Sequence, residues 1–322
     1  MSDIRNVVVL GVRDVPATGL VGKEIVKALL DDGSFYVTIV RRIGGSSSRP
    51  FPESSRLREV GDVDYSSVNS LKKAFEGQHA VVEALNPSGV VHQDKIVQAA
   101  VETESVRHII TPDFSGNYLN EHIHELRIYD DKVEAHKVTK QLIQQRDSLH
   151  WTAILTGAFF DWAIDNGIFW VDAKARQVTI FGSGNQRNAY AALDVVGRAT
   201  IRVLKDPKAY QDRQAYFADY IISCNDLLNT LNELEYQTWT AKNVSLDDFY
   251  EQGKKLWDED TAKGVQDRRS TMGYIMLGTY GCFNEEDRYS TDYTGRVEPG
   301  FGWTRDQFAQ ELQKAIDKAR QE

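Results

Sequence analysis

Buried-strand and amphipathic-helix patterns alternate through the first half of the chain. Val7–Leu10 is a continuous apolar run, typical of a strand that is buried on both faces. Val21–Leu30 then places apolar residues at helical spacing, and Tyr36–Val40 has the pattern of a second strand. Further strand patterns occur at Ala80–Leu85, Arg107–Phe114 and Trp151–Gly157, and helical patterns at Leu71–Phe75, Gln93–Glu102 and Asp130–Arg146. This alternation predicts an α/β fold with a doubly wound parallel sheet, covered by helices on both faces.

The second half of the chain is less regular and predicts a smaller α+β lobe. Two short strands, Gln177–Phe181 and Ala189–Leu193, are predicted to be joined by a turn at residues 182–185. Helices are predicted at Asp194–Leu204 with Asp194 as the cap, Asn225–Glu235, Leu246–Trp257 and Thr304–Ala319, and weak periodicity marks Thr271–Phe301. We therefore expect a first domain over residues 1–160 and a substrate lobe over 161–322, with the chain crossing back to the sheet around 177–205.

Composition and charge indicate which binding partners and which cellular compartment to expect. The 38 basic and 47 acidic residues give a net charge of -9, which argues against broad binding to nucleic acid. Only Cys224 and Cys282 occur, so we expect a reducing, cytoplasmic setting and no disulfide framework. No leader pattern and no apolar run of about 20 residues is present, so no membrane association is expected. Histidines, cysteines and carboxylates show no metal-ligand spacing, so no metal is expected.

A glycine-containing turn follows the first predicted strand. The strand ends at Gly11, and Ala17–Gly22 then leads into a helix. Such a turn lets the backbone approach a pyrophosphate, which the helix N-terminus attracts through its unpaired N–H groups. We therefore expect a Rossmann-type dinucleotide site, with phosphate contacts from Gly11, Thr18, Gly19, Leu20, Val21 and Gly22. The extra residues Val12–Pro16 leave two possibilities open: the loop bulges outward, or it narrows the pyrophosphate site.

Two arginines follow the second strand, where an acidic residue would accept a ribose 2′-hydroxyl. Arg41 and Arg42 suit a 2′-phosphate instead, and Ser46–Ser48 offer further donors. The sequence therefore predicts NADP(H) rather than NAD(H) as cofactor.

A series of motifs in fixed order resembles a known family. The motifs are Ala17–Gly22, the arginine after the second strand, Asp62–Tyr65, Phe75–Val82, Ile110–Gly116, Lys132–Glu134 and Trp151–Trp162. In this order they resemble the NmrA-like and isoflavone-reductase-like proteins, atypical short-chain dehydrogenases/reductases that include fungal secondary-metabolite enzymes. The resemblance covers residues 5–205 well and the remainder in outline.

The resemblance implies a catalytic lysine, which follows a segment similar to Thr111–Gly116. Lys132 is the matching residue and Lys137 is the competitor, because the helix length before Trp151 varies among members. The lysine would contact the nicotinamide ribose and the substrate and act as acid or base. Tyr129 is three residues before Lys132 and is a second catalytic candidate on the same helical face. Asp113 and Phe114 are then expected at the substrate pocket.

Other site residues are expected where strands end at the carboxyl edge of the sheet. There the resemblance places Asn86 and Pro87 against a ribose of the cofactor. Thr156, Gly157 and Phe159 follow another strand and are expected to flank the nicotinamide, with Phe160 and Trp162 shaping an aromatic pocket.

Three functions are compatible with these motifs and with the family resemblance. The first is NADP(H)-dependent reduction of a C=C, C=N or C=O bond in a small hydrophobic aromatic or alkaloid-type metabolite. The second is a redox-coupled or redox-neutral cyclisation, such as a Diels–Alder reaction, in secondary metabolism. The third is a non-catalytic NADP sensor. The expected partner is a small molecule, and a monomer and a homodimer both fit.

Overall fold

The protein is described by a computed structural model over residues 4–12, 19–44, 51–168, 170–235, 238–265, 268 and 271–321. The strands are β1 (Asn6–Leu10), β2 (Tyr36–Arg42), β3 (Leu57–Val63), β4 (Ala80–Glu83), β5 (His108–Ile110), β6 (His150–Leu155), β7 (Ala158–Phe159), β8 (Val171–Asp172), β9 (Gln177–Phe181), β10 (Asn188–Ala191), β11 (Arg213–Tyr216), β12 (Tyr220–Ile222) and β13 (Thr240–Val244). The α-helices are α1 (Leu20–Asp32), α2 (Val68–Phe75), α3 (Pro87–Val90), α4 (Gln93–Val101), α5 (Asp130–Ile143), α6 (Phe160–Asp165), α7 (Val195–Lys205), α8 (Pro207–Tyr210), α9 (Cys224–Leu234), α10 (Leu246–Ala262), α11 (Met272–Phe283) and α12 (Arg305–Gln321).

The chain divides into two compact units, each made of three segments. The first unit comprises Met1–Phe114, Asp131–Leu155 and Asp194–Ala215. The second unit comprises Ser115–Asp130, Thr156–Leu193 and Tyr216–Glu322. This division differs from a single boundary at residue 160, because the chain leaves the first unit after Phe114 and after Leu155 and returns to it each time.

The first unit is built on a parallel sheet, as the alternating pattern predicted. Among the described residues, seven strands lie in the order β11-β6-β5-β4-β1-β2-β3, and every pairing from β3 across to β6 is parallel. The central strand β1 has Val7, Val8 and Val9 fully buried, because helices cover both faces of the sheet. The strand order reverses between β1 and β4, which makes their carboxyl ends the topological switch point of the sheet.

Strand β3 was not predicted from the sequence. It is an edge strand in which only Leu57 and Val63 are buried, so its apolar signal is weak. Its residues Glu59 and Asp62 form ion pairs with Arg41 of β2, one of the two predicted arginines.

The second unit holds two three-stranded sheets, β12-β10-β7 and β13-β9-β8. The prediction that Gln177–Phe181 and Ala189–Leu193 are joined as neighbouring strands is wrong, because β9 and β10 lie in different sheets. Strand β9 pairs with β8 in antiparallel register and with β13, about 60 residues further along the chain, in parallel register. A core of buried side chains, including Phe160, Trp170 and Phe181, fills this unit.

Two helix predictions in the later part of the chain need correction. The region expected to be irregular contains α11, whose residues are predominantly apolar and small. Asp194 precedes α7 as expected, but its side chain makes no cap hydrogen bond and pairs with Arg198 instead. None of the described helices is long and apolar enough to cross a bilayer.

Candidate functional site

The switch point of the sheet brings the ends of β1 and β4 into direct contact. Gly11 follows β1 with φ +84°, and a Cβ there would overlap the carbonyl oxygen of Ala84 after β4. A Cβ on Gly22 would lie 3.2 Å from the carbonyl oxygen of Gly11 and 3.3 Å from Cβ of Ala84. Glycines at these two positions therefore allow strand, turn and helix to pack backbone against backbone, as a dinucleotide turn requires.

The first helix begins at this turn. Gly19 is the N-cap with φ 88°, and as a glycine it has no side chain that could cap the helix. The first backbone bond within α1 runs from the N–H of Lys23 to the carbonyl of Gly19. The N–H groups of Leu20, Val21 and Gly22 precede that bond, and together with the helix dipole they suit an anionic group. These residues fit the diphosphate of a dinucleotide.

Part of the predicted cofactor site lies outside the described residues. This applies to Thr18, to the inserted segment from Arg13 to Pro16 and to Ser46–Ser48. The two possibilities for the inserted loop therefore both stand.

Arg41, one of the two arginines at the end of β2, is engaged by carboxylates of the neighbouring strand. The Arg41 guanidinium lies 3.1 Å from a carboxylate oxygen of Glu59 and 3.4 Å from one of Asp62, both on β3. Arg42 is half-buried at the last position of β2. A 2′-phosphate would have to compete with these two carboxylates for Arg41.

Asn86 lies at the carboxyl end of β4, as predicted. Its Oδ1 accepts a hydrogen bond of 3.1 Å from the N–H of Gly89, and its carbonyl accepts one from Val90. Asn86 therefore caps the short helix α3, which begins at Pro87. The structure places both residues at the expected edge of the sheet.

Lys132 lies on α5, and its side chain reaches the carboxyl end of β5. Its Nζ donates a 3.0 Å hydrogen bond to the backbone carbonyl of Asp113. The Asp113 carboxylate accepts a 2.5 Å bond from the hydroxyl of Thr111, and Phe114 follows in a left-handed conformation with φ 37°. Asp113 and Phe114 are both buried. Three predicted residues are therefore brought together at one strand end.

Lys137, the competing lysine, faces away from this cluster. It lies 3.3 Å from Glu134 on the same helix, and its side chain is 70% exposed. A solvent-exposed ammonium paired with a neighbouring carboxylate has neither the burial nor the position of Lys132.

The sequence analysis missed a buried polar network behind Lys132. Glu83, the last residue of β4, accepts a hydrogen bond from Gln93, and Gln93 also donates to Thr139 on α5. The pKa of Glu83 is raised to about 8: burial raises it most, the hydrogen bond from Gln93 lowers it, and the nearby Asp113 raises it. The sequence signal for this network was Glu83 itself, an acidic residue that ends the otherwise apolar strand β4.

The second unit contains the other predicted site residues. The N–H groups of Thr156 and Gly157 both donate to the carbonyl of Ser115, at 3.1 and 3.0 Å. Gly157 has φ +72°, and a Cβ there would overlap the carbonyl oxygen of Ala189. This tight turn leads into β7, where Phe159 is half-buried.

Phe160 and Trp162 pack into the second unit's core. Phe160 is 2% exposed and makes edge contacts with the rings of Trp303 and Phe308. Trp162 is partly buried against the same core. The structure therefore gives Phe160 a packing role in this core.

Tyr129 belongs to a cluster of tyrosines in the second unit. Its ring makes an edge contact with Tyr118 at 4.8 Å between centroids. Burial, and then the neighbouring Tyr118, raise the pKa of Tyr129 well above its ordinary value, so its hydroxyl stays protonated. The Tyr118 hydroxyl contacts the hydroxyl of Ser115, a pairing that the sequence analysis did not identify. Among the described side chains, no group of three or more His, Cys, Asp and Glu residues could hold a metal ion.

Comparison with known proteins agrees with this geometry. The family model described as NAD(P)H-binding matches residues 17–192, which is more than half of the chain. The oxidoreductase aprR of Aspergillus flavus is 28% identical over 268 residues, covering 83% of this chain and 84% of the relative. The phenylcoumaran benzylic ether reductase Betv6 of Betula pendula is 24% identical over 301 residues, covering 89% and 90%.

A solved structure shares the same fold. The binary complex of leucoanthocyanidin reductase and NADPH from Vitis vinifera superimposes with a TM-score of 0.71 at 14% identity, covering 97% of this chain and 100% of that one. The chain therefore belongs to the NAD(P)H-binding family and is an NAD(P)H-dependent oxidoreductase of the NmrA-like, isoflavone-reductase-like group.

Proposed function

We propose that the protein is an NADPH-dependent reductase of a small hydrophobic aromatic metabolite, with Lys132 as its acid–base residue. The observation that carries the proposal is the 3.0 Å hydrogen bond from Nζ of Lys132 to the carbonyl of Asp113. It holds an ammonium group at the carboxyl edge of the sheet whose switch point carries the glycine turn. Ligands of doubly wound folds bind at that edge.

Different residues of the first unit would bind the cofactor and transfer the proton. The amides of Leu20 and Val21 and the close packing at Gly22 would hold the diphosphate, and the pair Arg41 and Arg42 would contact the 2′-phosphate. When bound, the reduced nicotinamide supplies a hydride to the substrate. Nζ of Lys132 supplies the matching proton to the substrate atom that gains negative charge, so the substrate gains two hydrogens overall and the coenzyme is oxidised.

The remaining predicted contacts belong to the same proposal. Asn86 and the backbone at Pro87 are proposed to contact a cofactor ribose. Thr156, Gly157 and Phe159 are proposed to flank the nicotinamide, as the resemblance to the family implies. The substrate class rests on two named relatives, a phenylcoumaran benzylic ether reductase and a leucoanthocyanidin reductase, which carry aromatic substrates in their names.

The test compares two lysines of the same helix. Purified wild type, Lys132→Ala and Lys137→Ala are incubated with NADPH and a panel of aromatic enones, imines and benzylic ethers, and the loss of NADPH absorbance is recorded. Lys132→Ala should lower kcat by about 100-fold or more, because an acid–base residue contributes that much. Lys137→Ala should leave kcat unchanged, because its exposed ammonium contacts Glu134.

Cofactor affinity separates the competing functions in the same experiment. Lys132→Ala should bind NADPH within several-fold of wild type, because the phosphate contacts are intact. Product formation without NADPH consumption would favour a cyclase. Saturable NADPH binding without turnover of any substrate would favour a sensor.

A further inference from the structure

Glu83 occupies a position where a carboxyl group is costly. It ends the apolar strand β4 with no exposed surface, and its Oε1 accepts a 3.0 Å hydrogen bond from Nε2 of Gln93. The same Nε2 donates to the hydroxyl oxygen of Thr139 at 3.1 Å. Gln93 and Thr139 are also buried, so one amide group joins strand β4 to helix α5 inside the first unit. We call Glu83, Gln93 and Thr139 the Glu83 network.

The Glu83 network acts on the helix that carries Lys132. Thr139 is seven residues after Lys132, which is two helical turns, so both side chains lie on the same face of α5. His136, buried between them on that face, contacts the ring of Trp151 edge-on. Lys132 is attached to the end of β5 through the Asp113 carbonyl, and Thr139 is attached to the end of β4 through Gln93. The hydrogen bonds of Lys132 and Thr139, two turns apart on one face, therefore fix how α5 is rotated about its own axis.

We propose that Glu83 is a positioning residue for the reaction: through Gln93 and Thr139 it fixes helix α5 so that Nζ of Lys132 stays at the carboxyl end of β5. This inference rests on the proposed function of Lys132. Glu83 is fully buried, so it acts through the helix and contacts neither substrate nor cofactor.

The charge of Glu83 decides whether the network holds. Burial raises its pKa to about 8, so the carboxyl group is neutral at pH 7. Among the described residues, the titratable group that acts on Glu83 is Asp113, which follows β5 and also raises that pKa. Asp113 in turn interacts electrostatically with His136 on α5, whose own pKa is lowered by burial. Oε2 of Glu83 has no hydrogen-bond partner in the part of the chain that the structure describes, so a negative charge there would be uncompensated.

The sign of the pH effect follows from the direction of this shift. The pKa of Glu83 is higher in the folded protein than its ordinary value of 4.5. The stability that the neutral carboxyl contributes is therefore fully present below pH 4.5 and is lost as the pH rises through about 8. Glu83→Gln keeps a neutral, hydrogen-bonding side chain of the same shape and removes this titration.

The experiment measures kcat, KM and NADPH affinity for four variants. Glu83→Ala and Thr139→Val break the network and should lower kcat by about tenfold or more, with KM and NADPH affinity nearly unchanged, because a misplaced acid–base group loses orientation rather than binding. Wild type should lose kcat as the pH rises through about 8. Glu83→Gln should keep the kcat of wild type at pH 7 and should not show this loss.

Thr200→Val is the matched control for Thr139→Val. Both threonines are buried in helices, and both donate to the carbonyl four residues earlier, Thr139 to Ala135 and Thr200 to Val196. Thr139 additionally accepts the Gln93 bond. The two variants should lose similar stability, and only Thr139→Val should lower kcat.

Three results would overturn the inference: an unchanged kcat in Thr139→Val, an equal fall in Thr200→Val, or identical pH profiles for wild type and Glu83→Gln. If no substrate of the panel supports NADPH oxidation by wild type, the proposed function fails. Thermal unfolding then tests the Glu83 network independently of that function. The Tm of wild type should fall relative to that of Glu83→Gln between pH 5 and pH 8. Parallel Tm curves would show that the network does not hold a neutral carboxyl.

Discussion

Arg41, one of the two arginines at the end of β2, is paired with Glu59 and Asp62. The sequence identified both arginines because they follow the predicted strand. It could not identify these ion pairs, because the carboxylates that engage Arg41 belong to the unpredicted strand β3.

The ion pairs of Arg41 predict the coenzyme preference of two variants. The double variant Arg41→Ala/Arg42→Ala should weaken NADPH binding by about tenfold or more and leave NADH binding nearly unchanged, because charge-assisted contact to the 2′-phosphate is lost. Arg41→Ala should change the NADPH/NADH affinity ratio by no more than about twofold. Fluorescence titration of both variants with both coenzymes measures the ratio, and a larger change in Arg41→Ala would show that Glu59 and Asp62 do not keep Arg41 from the 2′-phosphate.

The residues of the glycine turn were predictable because their function depends on the backbone. Gly11, Gly19 and Gly22 are needed where strand, turn and helix approach closely, and the structure places them there. The Glu83 network was not predictable, because its members are distant in sequence and each looks ordinary alone. Its hydrogen bonds depend on how α4 and α5 pack on the sheet.

At the scale of elements, α1 and α7 pack closely through small side chains. A Cβ on Gly197 of α7 would overlap Cβ of Ala28 on α1 and would lie 3.2 Å from the carbonyl oxygen of Glu24. The helix that begins at the glycine turn therefore packs against α7, which belongs to the segment of the first unit that starts at Asp194.

This contact predicts a stability effect with a partial rescue. Gly197→Val should lower the free energy of unfolding by about 1–3 kcal/mol, because the added methyl groups overpack the interface. Ala28→Gly in the same chain should recover part of the loss, since it removes the overlapping Cβ. Urea unfolding of the single and double variants measures the coupling, and additive losses would show that the two positions do not interact.

Some elements were predictable from local sequence and others were not. Strand β1 and helix α1 have clear apolar periodicity and were predicted within a few residues. Helix α11 was missed because apolar and small residues occur on all sides of it, so the sequence shows no polar face and no amphipathic period. Its buried residues are Gly273, Met276, Leu277, Thr279, Gly281 and Phe283. The pairing of β9 with β13 was missed because no local signal specifies so distant a partner.

At the scale of the whole molecule, the two compact units are interleaved along the chain. A fragment of residues 1–160 would contain Ser115–Asp130 of the second unit and would lack α7 and β11 of the first. Pattern reading assigns a domain boundary to one point in the sequence, whereas this fold needs several. We therefore propose that the reductase activity requires the full chain.

The net charge of -9 also bears on how the molecule binds its coenzyme. A chain with this charge repels polyanions at long range, so affinity for NADPH has to come from local groups: the amides at the start of α1 and a nearby arginine. Coenzyme binding should therefore be specific and should occur at one site.

Calorimetric titration of the folded, full-length protein with NADPH tests this account most directly. We predict one saturable site per chain, with a Kd of about 1–100 μM, and a Tm that rises with NADPH concentration. A protein that unfolds cooperatively but shows neither saturable heat nor any NADPH-dependent rise in Tm would contradict the account.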